Sequence, residues 1–339
     1  MISRVAESCF WLGRYIERAD NTARLLRTNH SFVLDVGSPI QSRWRPVLVV
    51  SGEHERFPKL FSDESCDDGE HVQEYMTWNQ NNPASILSSK KWARENARTI
   101  REIISSEMWE NLNGFWHFLN GRKGRDLYRS DRNRFYSRVS DASALFLGES
   151  SHTLSHDESF AFLQLGVFLE RAGQTARLID VKHHALGSSD STKANPLSET
   201  ALETAHAMAL LRSCSASEPF VKQATRAPSG PTVISFLYGD TLFPRSIRYS
   251  FRAAKSFLDT IRIHSTSDML PPSSSLVSEL IQSIDTFSKS ETATSSIHEE
   301  LTRIVDDNAA LCDAIHTDYF DPSFDTHTLL ASQTKQDQS

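Results

Sequence analysis

The sequence has few turn-forming residues and no long hydrophobic run. Glycine (13) and proline (12) together make up about 7% of the 339 residues, against roughly 12% in average proteins. This scarcity favours long helices and disfavours an all-β sandwich, which needs many turns. The densest apolar stretches, 47–50 and 115–119, are far shorter than the roughly 18 residues of a membrane span. We therefore expect no membrane association.

The sequence also lacks paired cysteines and an excess of positive charge. Its four cysteines are scattered without CxxC spacing, so neither a disulfide framework nor a zinc knuckle is predicted. With no secretory leader visible, we expect reduced thiols and a cytoplasmic protein. The 36 basic and 43 acidic residues give a formal net charge of −7. A nucleic-acid partner is disfavoured, because there is no basic excess to bind phosphates.

Two parts of the chain repeat the same pattern. Residues 11–26 (WLGRYIERADNTARLL) align with 164–179 (QLGVFLERAGQTARLI) with nine identities in sixteen positions, at an offset of 153 residues. A second match pairs 83–86 (PASI) with 244–247 (PRSI), at an offset of 161. Because the matches occur in the same order at nearly constant spacing, they predict an internal duplication.

Duplication and helical periodicity together predict the architecture. Apolar residues such as Cys9, Leu12 and Ile16 recur at steps of three and four, which is typical of a packed helix. We predict an all-α fold in a single domain over 1–330, a helical bundle of two duplicated halves related by an internal pseudo-twofold. The first half spans about 1–115 and the second about 155–275, and extra helices follow at the C-terminal end.

Several element boundaries follow from local composition. Helices are predicted over Ser85–Met108 and Ser246–Ile263, each just after a proline that suits the first turn. A linker is predicted at 187–198, and a disordered polar tail at 331–339. The Ser/Thr-rich stretches 264–275 and 288–296 are predicted to be loops.

Charged residues flank the apolar seam of both repeated helices. In the first copy Glu17, Asn21 and Arg24 share one stripe, and Arg18 lies beside it. The second copy carries a matching set, Glu170, Arg171 and Arg177. Charges in such a position are partly buried, and a buried charge is tolerated only when it is paired and hydrogen-bonded.

Two interpretations of these charges remain open. In the first, the copies pair reciprocally, so that Glu17 meets Arg171 or Arg177 while Glu170 meets Arg18 or Arg24. In the second, they line a polar pocket between the repeats, where arginines bind a carboxylate or phosphate and a glutamate holds an amine. The two arrangements can coexist.

Four ordered blocks of the sequence resemble the Alpha-E family, an all-helical domain of unknown function named for a Glu-Arg motif. The blocks are 3–26 (SRVAESCFWLGRYIERADNTARLL), 82–113 (NPASI with ARENARTIREIISSEMWENLN), 165–180 (LGVFLERAGQTARLID) and 236–247 (FLYGDTLFPRSI). The resemblance implies association with ATP-grasp ligase-like proteins of the circularly permuted type and with transglutaminase-like proteins. It also implies a role in a peptide- or amide-modifying system.

The resemblance and the charged stripes together give the predicted binding residues. They are Glu17, Arg18, Asn21, Arg24, Arg94, Glu95, Asn96, Arg98, Glu170, Arg171, Arg177, Asp240 and Arg245. The expected ligand is a peptide or another small carboxylate. Asp240 is expected to pair with Arg245, because a cation in the first turn of a helix opposes the helix dipole. Asn96 is expected to make a buried hydrogen bond, whereas the arginines around it are equally consistent with surface ion pairs.

No nucleophile elbow, phosphate-binding loop or HExxH motif is present. No cofactor and no metal are predicted. Di-iron bundles use two glutamates and two ExxH motifs, and the chain holds Glu149-x-x-His152 and Glu203-x-x-His206. Against a metal site, Glu149 is predicted to lie in a loop, and arginines beside Glu17 and Glu170 would repel a cation.

Three functions are compatible with the sequence. The leading one is an accessory or substrate-binding module that acts with an ATP-grasp-like ligase. The second is an independent enzyme that uses Glu17 or Glu170 as an acid, a base or a di-metal ligand. The third is a purely structural scaffold.

Overall fold

The computed structural model describes residues 3–36, 44–187, 196–223, 227–263, 270–288 and 296–321. Within these ranges the chain forms fifteen α-helices and one short 3₁₀ helix, Glu64–Asp67, without any strand. The all-helical prediction is confirmed. The helices are α1 (Ser3–Val36), α2 (Arg45–Val50), α3 (Arg56–Leu60), α4 (Gly69–Trp78), α5 (Ile86–Thr99), α6 (Ser106–Asn120), α7 (Arg122–Ser130), α8 (Arg132–Thr153), α9 (Glu158–Gly187), α10 (Pro196–Ser213), α11 (Ser217–Gln223), α12 (Gly230–Gly239), α13 (Ile247–Ile263), α14 (Pro272–Phe287) and α15 (Ile297–Tyr319).

The two longest helices, α1 and α9, form the centre of the bundle and pack against each other more extensively than any other pair. Helix α1 also packs against α5 and α8, while α9 packs against α13 and α15. The apolar seam predicted for α1 is buried, with Leu12 and Ile16 fully inaccessible. Other helices therefore surround both α1 and α9, so several charged residues on these two helices lie in the interior of the bundle.

Two glycines allow α1 and α9 to approach closely. A Cβ added at Gly13 would lie 2.0 Å from the carbonyl oxygen of Leu163, and one added at Gly166 would lie 2.1 Å from that of Phe10. Both neighbours are backbone atoms, which cannot swing aside as a flexible side chain would. The helices can cross at this distance only where each lacks a side chain.

Each central helix holds the turn that precedes a shorter helix. Thr22 on α1 donates to the carbonyl of Ala84 (3.3 Å), just before α5. Thr175 on α9 donates to the carbonyl of Arg245 (3.1 Å), just before α13. This second contact brings the Arg245 side chain back towards the α1–α9 crossing.

The predicted helix Ser85–Met108 is interrupted, because α5 ends at Thr99 and α6 begins at Ser106. The Ser105 hydroxyl accepts from the backbone NH of Met108 (3.2 Å) and caps the new helix. The preceding residues include several β-branched side chains, which are weak helix formers. The second predicted helix is confirmed, since α13 spans Ile247–Ile263.

Part of the Ser/Thr-rich loop prediction is wrong. Helix α14 begins at Pro272, so 272–275 are helical, with Pro272 at a first-turn position that suits its fixed φ. Likewise α10 begins at Pro196, inside the predicted linker 187–198, and Gly187 still belongs to α9. Residues 188–195, 264–269, 289–295 and the predicted tail 331–339 lie outside the described residues. In the part of the chain that is described, no helix is long and apolar enough to cross a bilayer.

Substitution of Gly13 by alanine is expected to destabilise the protein by about 1–3 kcal/mol, because the new methyl group meets the Leu163 backbone and forces α1 and α9 apart. Urea unfolding would measure the loss. Gly148 on α8 has open space around it, so G148A is the matched control and should be neutral or stabilising by up to about 1 kcal/mol. Equal effects of the two substitutions would contradict a tight crossing.

Candidate functional site

The first half of the candidate site is built around Glu17, whose side chain is completely buried on α1. Arg171 on α9 donates to it through two nitrogens, Nε to Oε1 (2.9 Å) and Nη2 to Oε2 (2.8 Å). Arg245 adds a third bond from Nη1 to Oε1 (2.8 Å). Both carboxylate oxygens of Glu17 are therefore satisfied by guanidinium groups, a geometry that supplies strong, charge-assisted hydrogen bonds.

The second half has the inverse arrangement around Glu170 on α9. Arg18 on α1 donates from Nε to Oε1 (2.6 Å) and from Nη2 to Oε2 (2.9 Å). Arg14, one turn earlier, donates from Nε to Oε2 (2.9 Å). The glutamate of each Glu-Arg dipeptide thus pairs with the arginine of the other dipeptide across the crossing. The reciprocal-pairing interpretation is confirmed for Glu17 with Arg171 and for Glu170 with Arg18.

The arginines determine the charge state of both glutamates. Burial by itself would raise the pKa of Glu17, but Arg171 and Arg245 outweigh it and lower that pKa to about 2. Burial acts in the same way on Glu170, where Arg18 and Arg14 lower the pKa to about 2. Both side chains are carboxylates at neutral pH.

A third carboxylate, Asp20, extends the first half of the site. Arg245 donates from Nη2 to Asp20 Oδ2 (2.7 Å) and from Nη1 to Asn21 Oδ1 (2.9 Å). Arg24 donates from Nε to Asp20 Oδ2 (2.8 Å). Two buried polar atoms here, Asp20 Oδ1 and Asn21 Nδ2, have no hydrogen-bond partner among the described residues.

We refer to the charged side chains at this crossing as the Glu-Arg cluster. Its members are Arg14, Glu17, Arg18, Asp20, Arg24, Glu170, Arg171, Arg177 and Arg245. Six arginines therefore face three carboxylates. The cluster carries an excess of positive charge in a setting where most of the side chains are shielded from water.

Arg177 on α9 accounts for part of this excess. Arg177 is exposed and makes no hydrogen bond or ion pair with the residues that the structure describes. Desolvation of its guanidinium, together with Arg18 and Arg14, lowers the pKa of Arg177, while Glu170 offsets part of this effect. Arg24, at the matching position on α1, has Asp20 as its partner.

The remaining predicted binding residues lie in other contacts. Arg94 and Arg98 on α5 both pair with Glu95, at 3.2 Å and 2.6 Å. Arg94 also donates to Asn113 Oδ1 on α6 (2.8 Å). This network follows the surface-ion-pair interpretation, and among the described contacts none joins it to Glu17 or Glu170.

Two local expectations are wrong. Asn96 makes no buried hydrogen bond, because its Nδ2 donates to the Trp92 carbonyl one turn earlier (2.8 Å) on a partly exposed face. Asp240 does not pair with Arg245. Its Oδ1 accepts from the backbone NH groups of Leu242 (2.8 Å) and Phe243 (2.6 Å), which shapes the turn and leaves Arg245 for α1.

Lys90 on α5 is a buried cation that the sequence analysis missed. Only 1% of its surface is exposed, and its Nζ donates to the Ser143 hydroxyl on α8 (2.8 Å). Burial lowers the pKa of Lys90 to about 8, with Asp20 acting in the opposite direction. Its burial could have been predicted from the sequence, because Lys90 follows Ile86 by four residues on an otherwise apolar helical stripe.

Arg14 and Asp20 were also missing from the predicted set of binding residues. Each lies on α1 within one helical turn of a predicted residue, Arg14 before Arg18 and Asp20 after Glu17. Helical spacing places them on the same face, and this could have identified them.

The di-metal alternative has no geometric support. Glu149 lies within α8, not in a loop, and contacts Asn111. Among the described residues no group of three His, Cys, Asp or Glu side chains is close enough to hold a metal ion. Cys9 is buried in the core, and burial raises the pKa of its thiol to about 12, which leaves no thiolate for nucleophilic chemistry.

The Glu-Arg dipeptides at the crossing agree with a family description. The Alpha-E model, described as a predicted alpha-helical domain with a conserved ER motif, matches residues 1–320. The chain belongs to the Alpha-E family. Comparisons with curated proteins and with solved structures find no match.

In this Alpha-E chain the substitution E170Q is expected to cost about 3 kcal/mol of stability at pH 7, because Arg14 and Arg18 lose their buried counter-charge. The folded-state pKa of about 2 lies below the ordinary value of 4.5. The stabilisation is therefore present above pH 4.5 and is lost as the pH falls towards 2. Urea unfolding at several pH values should show wild type and variant converging in acid.

The matched control is E95Q on α5, whose partly exposed ion pairs are expected to contribute less than about 1 kcal/mol. A pH-independent gap between E170Q and wild type would show that packing, not charge pairing, explains the loss.

Lys90 gives the opposite pH dependence. Its pKa is about 8 in the folded protein and 10.5 ordinarily, so burial of the charged form costs up to about 3 kcal/mol below pH 8. That cost disappears as the pH rises towards 10.5. K90M is expected to stabilise the protein at pH 7 and to abolish this alkaline rise, as measured by chemical unfolding between pH 7 and 10.5. K91M at the exposed neighbour is the control, and a less stable K90M would refute the prediction.

Proposed function

We propose that this Alpha-E chain is a helical accessory or substrate-binding module that acts with an ATP-grasp-like ligase in a peptide- or amide-modifying system of the cytoplasm. In this proposal the Glu-Arg cluster binds a ligand carboxylate at Arg177. The single observation that carries the proposal is the charge excess of the cluster, in which six arginines face three carboxylates.

The chemical class of the proposed ligand is inferred by comparing two arginines at matching positions, Arg24 and Arg177. Arg24 on α1 is neutralised by Asp20, one turn earlier. On α9 the position one turn before Arg177 is Gly173, and the space beside it is taken by Asn308 of α15, whose Nδ2 would lie 2.9 Å from an added Cβ. Asn308 therefore blocks a carboxylate side chain at position 173, and no carboxylate among the described residues pairs with Arg177. In the proposal, the ligand supplies this carboxylate.

The surroundings of Arg177 favour an anion over a cation. Arg18 is partly exposed and lies close enough to Arg177 to lower its pKa, and Glu170 between them is already fully engaged by Arg18 and Arg14. A carboxylate placed between two guanidinium groups gains charge-assisted hydrogen bonds and relieves their mutual repulsion.

The proposal includes an internal duplication of the chain. It is supported by the reciprocal ion pairs, in which Arg171 and Arg18 use the same two nitrogens on Glu17 and Glu170. The mutual contact of Gly13 and Gly166 with the opposite backbone points the same way. In this view the halves diverged at one position, aspartate in the first and glycine in the second, and the divergence created the ligand site.

The proposed partner proteins come from the resemblance described in the sequence analysis. An ATP-grasp-like ligase activates a carboxylate, and a module that binds carboxylate-bearing substrates would present them to it. We propose this ligase as the direct partner and a transglutaminase-like protein as a member of the same system. Co-expression of the chain with a circularly permuted ATP-grasp protein and one-step affinity purification should recover both; failure to recover the ligase would contradict the partnership.

Catalysis by the two glutamates receives little support from their surroundings. A general acid or base works best with a pKa near the operating pH, whereas both residues have a pKa of about 2 and are engaged by arginines. Binding, rather than proton transfer, is the chemistry that the cluster favours. The scaffold function remains the alternative if no ligand binds.

The binding proposal predicts that R177Q weakens carboxylate binding by about tenfold, the expected effect of removing one charge-assisted hydrogen bond. The probe is the tripeptide Gly-Gly-Glu, titrated calorimetrically into the full chain, with the doubly amidated tripeptide as the matched ligand lacking carboxylates. Wild type should bind the acid and not the amide.

The control variant is R122Q, an exposed arginine on α7 whose ion pair with Asp126 is 3.4 Å long. It should bind the tripeptide as wild type does. Equal affinity of R177Q and wild type, or equal binding of acid and amide, would refute the carboxylate site. Circular dichroism would confirm that both variants fold.

A further inference from the structure

An open cavity lies at the junction of α1, α8 and the α10–α11 turn, and Arg177 is not among its described lining residues. Its volume is about 700 Å³, within the range of small-molecule sites. Eight of its nine described lining residues carry a hydrogen-bonding side chain. These side chains offer donors and acceptors to a polar ligand.

The donors of this cavity come from several directions. Arg27, Thr28 and Ser31 line it from the last turns of α1, and Arg212, Ser215 and Ser217 line it from the α10–α11 region. Among the described lining residues Glu218 is the only carboxylate. Two arginines and four hydroxyl-bearing residues on separate elements therefore line the cavity together with one described acid.

Arg27 is a partly buried cation that lacks a carboxylate hydrogen-bond partner among the described residues. Partial burial and the neighbouring Arg24 lower the pKa of its guanidinium, and Asp20 and Asp141 offset this only in part. Its Nη1 donates to the Ser137 hydroxyl (2.8 Å), a neutral acceptor. An anion in the cavity would supply the negative charge that this acceptor cannot.

Backbone strain marks the same place. Ser215 has φ of 51°, the one non-glycine residue with positive φ in the described chain. This conformation costs about 1 kcal/mol or more for a residue with a Cβ, and such strain concentrates at binding sites. Ser215 lines the cavity, and its hydroxyl accepts a hydrogen bond from Arg24.

We propose that this cavity binds the phosphate group of a small phosphorylated molecule, with Arg27 and Arg212 on opposite sides of the phosphate and the hydroxyls of Thr28, Ser31 and Ser215 around it. The inference goes beyond the carboxylate site at Arg177 and does not depend on it.

Phosphate fits the donor arrangement better than a carboxylate does. A carboxylate has two oxygens in one plane, which a single guanidinium satisfies. A phosphate monoester carries close to two negative charges and three acceptor oxygens that point in different directions. Donors on two separate helices can reach it at once, and Glu218 is left to accept from a hydroxyl or amine of the remaining molecule.

The cavity is also connected to the Glu-Arg cluster. Arg24 joins them, because it pairs with Asp20 at the crossing and contacts Ser215 at the cavity. A phosphate that attracts Arg24 would compete with Asp20 for it.

The test is calorimetric titration of the full chain with glycerol 3-phosphate, inorganic phosphate and succinate at constant ionic strength. Glycerol 3-phosphate should bind saturably, and phosphate should compete with it. Succinate, a dianion without phosphate, should bind at least tenfold more weakly. Absence of saturable binding by either phosphate probe, or equal binding of succinate, would overturn the proposal.

The location is tested with R27Q and R212Q, which should each weaken glycerol 3-phosphate binding about tenfold or more. R122Q, at the exposed arginine on α7, should leave that binding unchanged and is the control. Amide chemical shifts of the wild-type chain give a measurement that needs no variant. Changes caused by glycerol 3-phosphate should centre on 27–31 and 212–219, and changes centred elsewhere would refute the assignment.

Discussion

Close crossing of α1 and α9 is the constraint on which the rest of this structure depends. Gly13 and Gly166 bring the two backbones together, and the charged stripes beside the glycines are then enclosed by the surrounding helices. A buried glutamate without a partner would lower the stability of the protein by several kcal/mol. A protein in which apolar residues replace both members of each ion pair could nevertheless be as stable as this one. Packing at the two glycines therefore determines the distance between α1 and α9. Charge pairing determines in which register and orientation the two helices can pack without leaving a buried charge unpaired.

The two sides of the crossing resemble each other but differ in charge. Around Glu17 a second acid, Asp20, balances most of the positive charge, and Arg245 reaches in from the turn before α13. Around Glu170 the corresponding acid is missing, and Arg14 and Arg18 share one carboxylate. On the Glu17 side the charges are therefore buried and mostly paired, which is typical of a structural contact. The Glu170 side retains unbalanced charge near the surface, which is where a binding function is chemically reasonable.

Local spacing was enough to predict the helical class and the buried seam, and it gave reciprocal pairing as one of two interpretations, because all three depend on the periodicity of one helix and its repeat. Local spacing did not predict the partner of Arg245. The acid nearest to it in sequence, Asp240, instead accepts hydrogen bonds from the backbone of its own turn. The true partner, Glu17, lies 228 residues away. The break after Thr99 and the burial of Lys90 likewise depend on neighbouring helices, since the sequence between Ser85 and Met108 is compatible with a continuous helix.

The long separation of these partners has a consequence for synthesis on the ribosome. Glu17 emerges early, but Arg171 follows 154 residues later and Arg245 later still. At roughly 5–20 residues per second, α1 must wait about 10–45 s before its carboxylate meets both guanidinium groups. During this time Glu17 lacks one or both of its arginine partners, so its half of the Glu-Arg cluster is completed only after most of the chain has been translated.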